Sequence, residues 1–216
     1  MSERVSNPQS LRPRAPLLRR AGGWAVARLS NLHWVDGRLA RSAQFYGRHT
    51  ALILDLYGFR TVINLRGENP TETWYTAEAE ACRARGVVFL DVPLNSRRIP
   101  RSAELQALVE AFDAIKAPAL IKCSGGADRT GFASFLYLID CEGPERFSDA
   151  RRHLTAWPYL HVPKRQQRWM RQFMIYWQNQ RGPEMPLRRW LAEVYEPQDF
   201  AAWLDARGKR GSYRSV

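Results

Sequence analysis

One short segment limits the possible folds of this chain more than any other. Pro118-Ala119-Leu120-Ile121-Lys122 reads as a buried strand and runs directly into Cys123-Ser124-Gly125-Gly126-Ala127, then Asp128-Arg129-Thr130-Gly131. From Asp128 to Asp140 the apolar spacing is that of a helix, largely apolar on its buried faces. A strand, a turn with two adjacent glycines and a helix make one β-loop-α step. Such steps belong to sheets whose strands are joined by crossover helices.

The rest of the chain repeats the alternation. Strands are expected at Gly37–Arg41, Thr61–Leu65 and Val87–Leu90. Helices are expected at Tyr46–Tyr57, closed by Gly58, at Thr71–Arg85, capped by Thr71, and at Ser102–Lys116, capped by Ser102. Two more follow near Glu145–Thr155 and Pro163–Asn179. The fold class is therefore α/β, a central, mostly parallel sheet flanked by helices. Residues 1–23, with Pro8, Pro13, Pro16 and five arginines, read as a flexible basic arm. Residues 24–180 form the expected domain, and 181–216 an extension packed at least partly on it. Trp190, Leu191, Val194, Tyr195, Phe200 and Trp203 are its anchors, with fraying expected after Gly208. Trp169, Trp177, Trp190 and Trp203 fit a core better than a membrane interface.

Charge bears on partners. The 216 residues carry a net +12, which favours anionic ligands such as phosphate esters, acidic lipid or nucleic acid. No zinc-ligand spacing or nucleic-acid motif accompanies the charge, so nucleic acid is not expected. Three cysteines, Cys82, Cys123 and Cys141, do not make a disulfide framework and suit a reducing compartment. No apolar run approaches the roughly 20 residues of a membrane span, and no secretory h-region is present. A cytoplasmic protein is expected, with contact at a membrane surface left open.

The turn itself carries chemistry. A strand feeding a helix aims several backbone N–H groups at one point, and the helix dipole adds positive potential there. Gly125 and Gly126 let the backbone curl and approach an anion. In that field a cysteine pKa falls from about 8.5 toward about 3.5–7.5, giving a thiolate at Cys123. Arg129 presents two parallel donors matched to phosphoryl oxygens. Thr130 has a hydroxyl to offer the sulfur as it leaves. Cys123, Arg129 and Thr130 are thus candidate catalytic residues, and Lys122, Ser124, Gly125, Gly126 and Ala127 candidate binding residues.

Cysteine, five residues, arginine, threonine resembles the signature of the protein-tyrosine-phosphatase superfamily, most closely its dual-specificity branch and related bacterial enzymes. Gly37–Gln44 and Phe59–Arg66 resemble that group's entry strand and next strand. The resemblance implies a two-step reaction in which Cys123 attacks phosphorus and water releases the phosphocysteine, with no metal or cofactor. It also implies an Asp general acid about thirty residues before the cysteine. Asp91 lies 123 − 91 = 32 residues before it, and Asp128, inside the loop, is the alternative. One departure is Lys122, where the superfamily usually has histidine.

The expected substrate is a phosphoprotein, through tyrosine or dual-specificity activity, with Trp74, Tyr75 and Trp157 available as an aromatic wall. The alternative is an inositol polyphosphate, phosphoinositide or other lipid phosphate. Arg97, Arg98 and Arg101, and the basic stretch from Arg151 to Arg181, suit such a polyanion. Ala127 stands where relatives of that kind often carry lysine. An inactive phosphate-binding module would keep the fold without turnover, although loss of Cys or Arg is its usual mark. Rhodanese-type sulfur transferases have four residues between Cys and Arg. Cys82 and Cys141 read as structural, with a disulfide to Cys123 conceivable under oxidation.

Overall fold

A computed structural model describes residues 17–214, with side chains from residue 22 onward. The chain forms two compact units, one running through Asp91 and resuming at Ile115–Gly126, the other made of Val92–Ala114 and the chain from Ala127 on.

The first unit holds the sheet. Its strands are β1 (His33–Trp34), β2 (Leu39–Ser42), β3 (Thr61–Asn64), β4 (Val88–Asp91) and β5 (Ala119–Lys122). Their order is β1-β2-β5-β3-β4, and only β1 runs antiparallel. Three helices belong to this unit: α1 (Leu17–Leu29), α2 (Arg48–Tyr57) and α3 (Thr73–Arg83). Register places Ala40, Leu120, Val62 and Phe89 side by side. Side chains alternate along a strand, so these four share one face of the sheet. That face forms one apolar cluster with Ala27 of α1, Ile53 and Leu54 of α2, and Cys82 of α3. Lys122, two residues past Leu120, lies on the same face.

The arm expected at 1–23 falls partly outside the described residues, but from Leu17 the chain is helical. Gly22-Gly23 has the composition of a linker. Gly23 is instead buried where α1 meets α2, and a Cβ there would lie 2.3 Å from Leu56 Cδ2. The glycine serves close helix packing rather than flexibility.

The second unit is helical: α4 (Ser102–Asp113), α5 (Asp128–Glu142), α6 (Phe147–Ala150), α7 (Trp169–Asn179), α8 (Leu187–Glu193) and α9 (Pro197–Ala206). Every α5 residue from Thr130 to Ile139 is buried. Phe132 packs edge-on against Trp169 and Phe173, with ring centroids 5.0 and 5.1 Å apart. Trp169, Trp177 and Trp190 are all buried, and Trp203 stacks edge-on with Tyr176 in the same aromatic core. The segment from 181 supplies α8 and α9 to this unit. Arg188 of α8 donates to Asp113 of α4 and Asp140 of α5, and the two carboxylates raise its pKa further.

Four expectations change here. Thr71 does not cap α3, whose N-cap is Glu72. Ser102 does not cap α4. Arg101 is the N-cap, its N–H held by Glu104 at 2.7 Å, while Ser102 Oγ donates to the Leu191 carbonyl at 2.6 Å. The helix expected near 145–155 is the single turn of α6 between two 3₁₀ turns. The tail does not fray after Gly208: Ser212 is buried, and the Arg214 N–H donates to the Arg97 carbonyl at 2.6 Å. Gly208 does adopt the left-handed conformation of a helix stop, but the chain folds back beyond it. No helix among the described residues is long and apolar enough to cross a membrane.

Candidate active site

In the first unit, the loop leaving β5 is moulded on the end of β2. Cys123, at the bottom of the loop, is 3% exposed, whereas Ser124 and Gly125 are open to solvent. The Gln44 N–H donates to the Ser124 carbonyl at 3.2 Å, and Asn31 Nδ2 and Arg41 Nη2 donate to the Gly126 carbonyl at 3.0 and 2.6 Å. These bonds turn carbonyls into the protein. The N–H groups of Ser124, Gly125 and Gly126 have no backbone partner among the described residues, which suits them to an anion.

The two loop glycines are not equivalent. Gly125 borders open space, and its φ is not positive. Gly126 has φ +64°, and a Cβ there would lie 2.4 Å from the Ala43 backbone nitrogen. Only Gly126 is required by the fold, because the loop crosses β2 at backbone contact distance.

Lys122 is fully buried and paired with Glu78 of α3. Its ammonium also donates to Gln44 Oε1 at 2.8 Å, and Gln44 Nε2 donates to Glu78 Oε2 at 2.9 Å. Burial pulls the Lys122 pKa below the ordinary lysine value, against the opposing pull of Glu78. Arg66 reaches the same Gln44 oxygen at 3.3 Å and stacks on Trp74, 3.2 Å from its ring centre. Lys122 was expected to touch substrate. Its donors are instead committed to this buried cluster.

Asp91, the last residue of β4, is half-buried. Asn64 Nδ2 donates to its Oδ1 at 2.7 Å and the Tyr75 hydroxyl to its Oδ2 at 2.6 Å. The carboxylate in turn holds the Tyr75 pKa above the ordinary tyrosine value. Cys82 is buried in the apolar cluster, where burial, reinforced by Glu78, pushes its thiol up to about 12. It keeps its proton at neutral pH, which makes it a poor partner for disulfide exchange with Cys123.

In the second unit, the same loop continues as the first turn of α5. Asp128 lies there with one carboxylate oxygen 3.0 Å from Nδ1 of the buried His161. Its other oxygen accepts from Gln167 Nε2 at 3.0 Å. Arg129 Nη1 reaches the Leu94 carbonyl at 3.5 Å. The Thr130 hydroxyl is buried and has no hydrogen-bond partner among the described residues. Arg129 lines a cavity of about 490 Å³ together with Arg97, Arg98, Glu104, Gln167 and Arg214. No cluster of three or more metal-ligating side chains occurs among the described residues.

Sequence reasoning missed Asn31, Arg41, Gln44, Glu78, His161 and Gln167. Arg41 and Gln44 lie in the Gly37–Gln44 stretch that resembles the superfamily's entry strand, which was the available signal. His161 and Gln167 lie more than thirty residues past Asp128 with no spacing to mark them.

Residues 39–141 match the family model of a dual-specificity-type tyrosine phosphatase domain found fused to NAD+ kinase. That match spans 103 of the 216 residues and includes the loop from Cys123 to Arg129, and over this stretch the chain is similar to the dual-specificity-like side of the protein-tyrosine-phosphatase superfamily. Among solved structures, a DUF442 protein of Shewanella putrefaciens CN-32 aligns with TM-score 0.54 and 16% identity, over 74% of this chain and 97% of that one. The core catalytic domain of the PP-IP phosphatase SIW14 from S. cerevisiae, in complex with citrate, aligns with TM-score 0.50 and 18% identity, over 83% and 94%. These likenesses concern the fold. No curated protein matches the chain by sequence.

Proposed function

We propose that the protein hydrolyses phosphomonoesters through a phosphocysteine on Cys123, and that its substrates carry further anionic groups beside the phosphate removed. The Cys123 thiolate attacks phosphorus, the bond from phosphorus to the leaving oxygen breaks, and that oxygen takes a proton from a carboxylic acid. Water then attacks phosphorus, gives up a proton to the same carboxylate, and the sulfur leaves as thiolate. Arg129 and the loop N–H groups hold the phosphoryl oxygens throughout. The Thr130 hydroxyl, which has no hydrogen-bond partner among the described residues, suits stabilisation of the departing thiolate.

Both acid candidates have a neighbour at each oxygen: Asp91, at the end of a strand, has Asn64 and Tyr75, and Asp128 has Gln167 and the His161 ring. Asp128 stands on the same helical turn as Arg129, inside the loop that carries the nucleophile, and is our choice for the acid. Asp128→Asn is expected to slow an alkyl phosphate about 10²-fold or more and an activated aryl phosphate far less. Asp91→Asn is expected to slow both alike. The opposite pattern would assign the acid to Asp91.

The polyanion reading is carried by the cavity that Arg129 lines. Four guanidiniums face one carboxylate there, and that carboxylate, Glu104, is paired with Arg98. The site has a surplus of positive charge and no aromatic side. The SIW14 domain is named as a PP-IP phosphatase, and a substrate of that kind suits such a lining. Tyrosine or dual-specificity activity, expected from the loop, is supported by the family model that residues 39–141 match, while the lining of this cavity favours the polyanion. A membrane-bound form of the substrate would find Trp157, Leu160 and Val162 exposed on one loop near Arg151 and Arg152. The test is kcat/KM across a phosphotyrosine peptide, an aryl phosphate and an inositol bisphosphate. The bisphosphate should lead by about tenfold or more. A lead for the peptide would return the protein to the tyrosine phosphatases.

A further inference from the structure

The residue that extends this site comes from the far end of the chain. Arg214 lies 214 − 141 = 73 residues past the last residue of the family match. It is nevertheless part of the wall around Arg129. Its placement is built rather than incidental. Trp169 of α7 donates its N–H to the Ser212 carbonyl at 3.3 Å, and the Tyr213 hydroxyl donates to Asp205 of α9 at 3.0 Å. Arg214 pairs with Arg98 as a short parallel bridge, and its Nε donates to Gln166 Oε1 at 3.1 Å. The Trp169 indole N–H meanwhile donates to the Ser96 carbonyl at 3.0 Å, so α7 anchors both the tail and the 95–98 loop. Backbone bonding, a buried serine and a helix thus hold a guanidinium at the rim of an anion cavity.

We infer that Arg214, with Arg97 and Arg98, forms a recognition subsite for a second phosphate of the substrate, beside the phosphate held by Arg129. The ligand chemistry is a compact molecule with two or more closely spaced phosphates, free in solution or as a lipid headgroup. Glu104 offsets part of one arginine's charge, which leaves the subsite cationic enough for a phosphate without a metal counter-ion. The inference rests on Arg129 as the clamp for the phosphate removed, and it makes the tail the determinant of which esters bind well.

The experiment measures binding on the Cys123→Ser protein, where no turnover intervenes. Inorganic phosphate and tripolyphosphate are titrated calorimetrically into that protein and into the same protein carrying Arg214→Ala or Arg214→Glu. Tripolyphosphate is expected to bind about tenfold or more tighter than phosphate. Arg214→Ala should shrink that ratio several-fold, Arg214→Glu should abolish it, and Arg214→Lys should restore part of it. An unchanged ratio in all three variants would overturn the subsite while leaving the Cys123 reaction intact. Failure of phosphate itself to bind would instead count against the clamp. Soluble inositol trisphosphate, compared with vesicles of phosphatidylcholine containing phosphatidylinositol bisphosphate, then distinguishes the sources. Tighter binding of either, dependent on Arg214, supports the subsite.

Discussion

Cys123→Ser is expected to lower turnover of an aryl phosphate by about 10⁴-fold or more, the scale on which nucleophile removal acts in covalent catalysis. The wild-type rate should persist in EDTA. A serine hydroxyl is a far weaker nucleophile than a cysteine sulfur, so the first bond to phosphorus does not form. Anion binding should survive, because the carbonyls of Ser124 and Gly126 remain fastened by Gln44, Asn31 and Arg41 and the loop keeps its shape. Phosphate titration beside the activity assay reads both properties. Turnover retained by the serine protein would remove Cys123 as nucleophile. Phosphate binding without turnover in the wild type would make the chain the inactive phosphate-binding module.

Glu78→Gln is expected to cost about 3–5 kcal/mol of folding stability, because it strands the Lys122 ammonium without its counter-charge. Both side chains are almost wholly buried, at 0% and 2% exposure, so solvent screening does little to soften the loss. For a chain of this size that corresponds to a fall in Tm of about 6–20 °C. Glu78→Leu with Lys122→Met, which removes both charges, should recover most of it. The pH dependence carries a further signature. Burial already lowers the Lys122 pKa, and without Glu78 it falls further. Between that lowered value and the unfolded value of about 10.4, the unfolded chain binds a proton that the folded chain does not, so stability rises with pH. The cost of the buried charge is fully present below the folded pKa and is relieved above it. Denaturant melts from about pH 8 to about pH 10 should show this rise in Glu78→Gln, with Arg66 and Asp91 as the other nearby charges. A flat profile would mean that the loss reflects packing alone.

Local pattern made the sheet legible. Runs such as Thr61–Leu65 and Val87–Leu90 are short, apolar and bounded by turn residues, and β3 and β4 lie within a residue of them. The candidate loop was legible for a different reason: a cysteine, a glycine at positive φ and an arginine follow one another over a few residues. What escaped was everything fixed by distant chain. Asp91 has the expected spacing from Cys123, but spacing cannot reveal that Asn64 and Tyr75 already hold it. Lys122 looks like a cation beside a phosphate site until Glu78 and Gln44 are seen around it. The Gly22-Gly23 pair and the Gly208 stop have the composition of loose ends, and composition says nothing of Leu56 or Arg97 waiting to pack against them.

The packing around α5 also bears on what piece of the chain is able to stand alone. The family-model match ends at residue 141, where α5 is nearly complete. Phe132 and Phe135 on that helix lie against Trp169, Phe173 and Trp177, all from later in the chain. Asp113 and Asp140 share the single guanidinium of Arg188. A fragment cut to the matched boundaries would leave aromatic rings in water and two acids without their common cation. The stretch that the family model matches is therefore shorter than the set of elements packed around α5, which takes in at least α7 and α8.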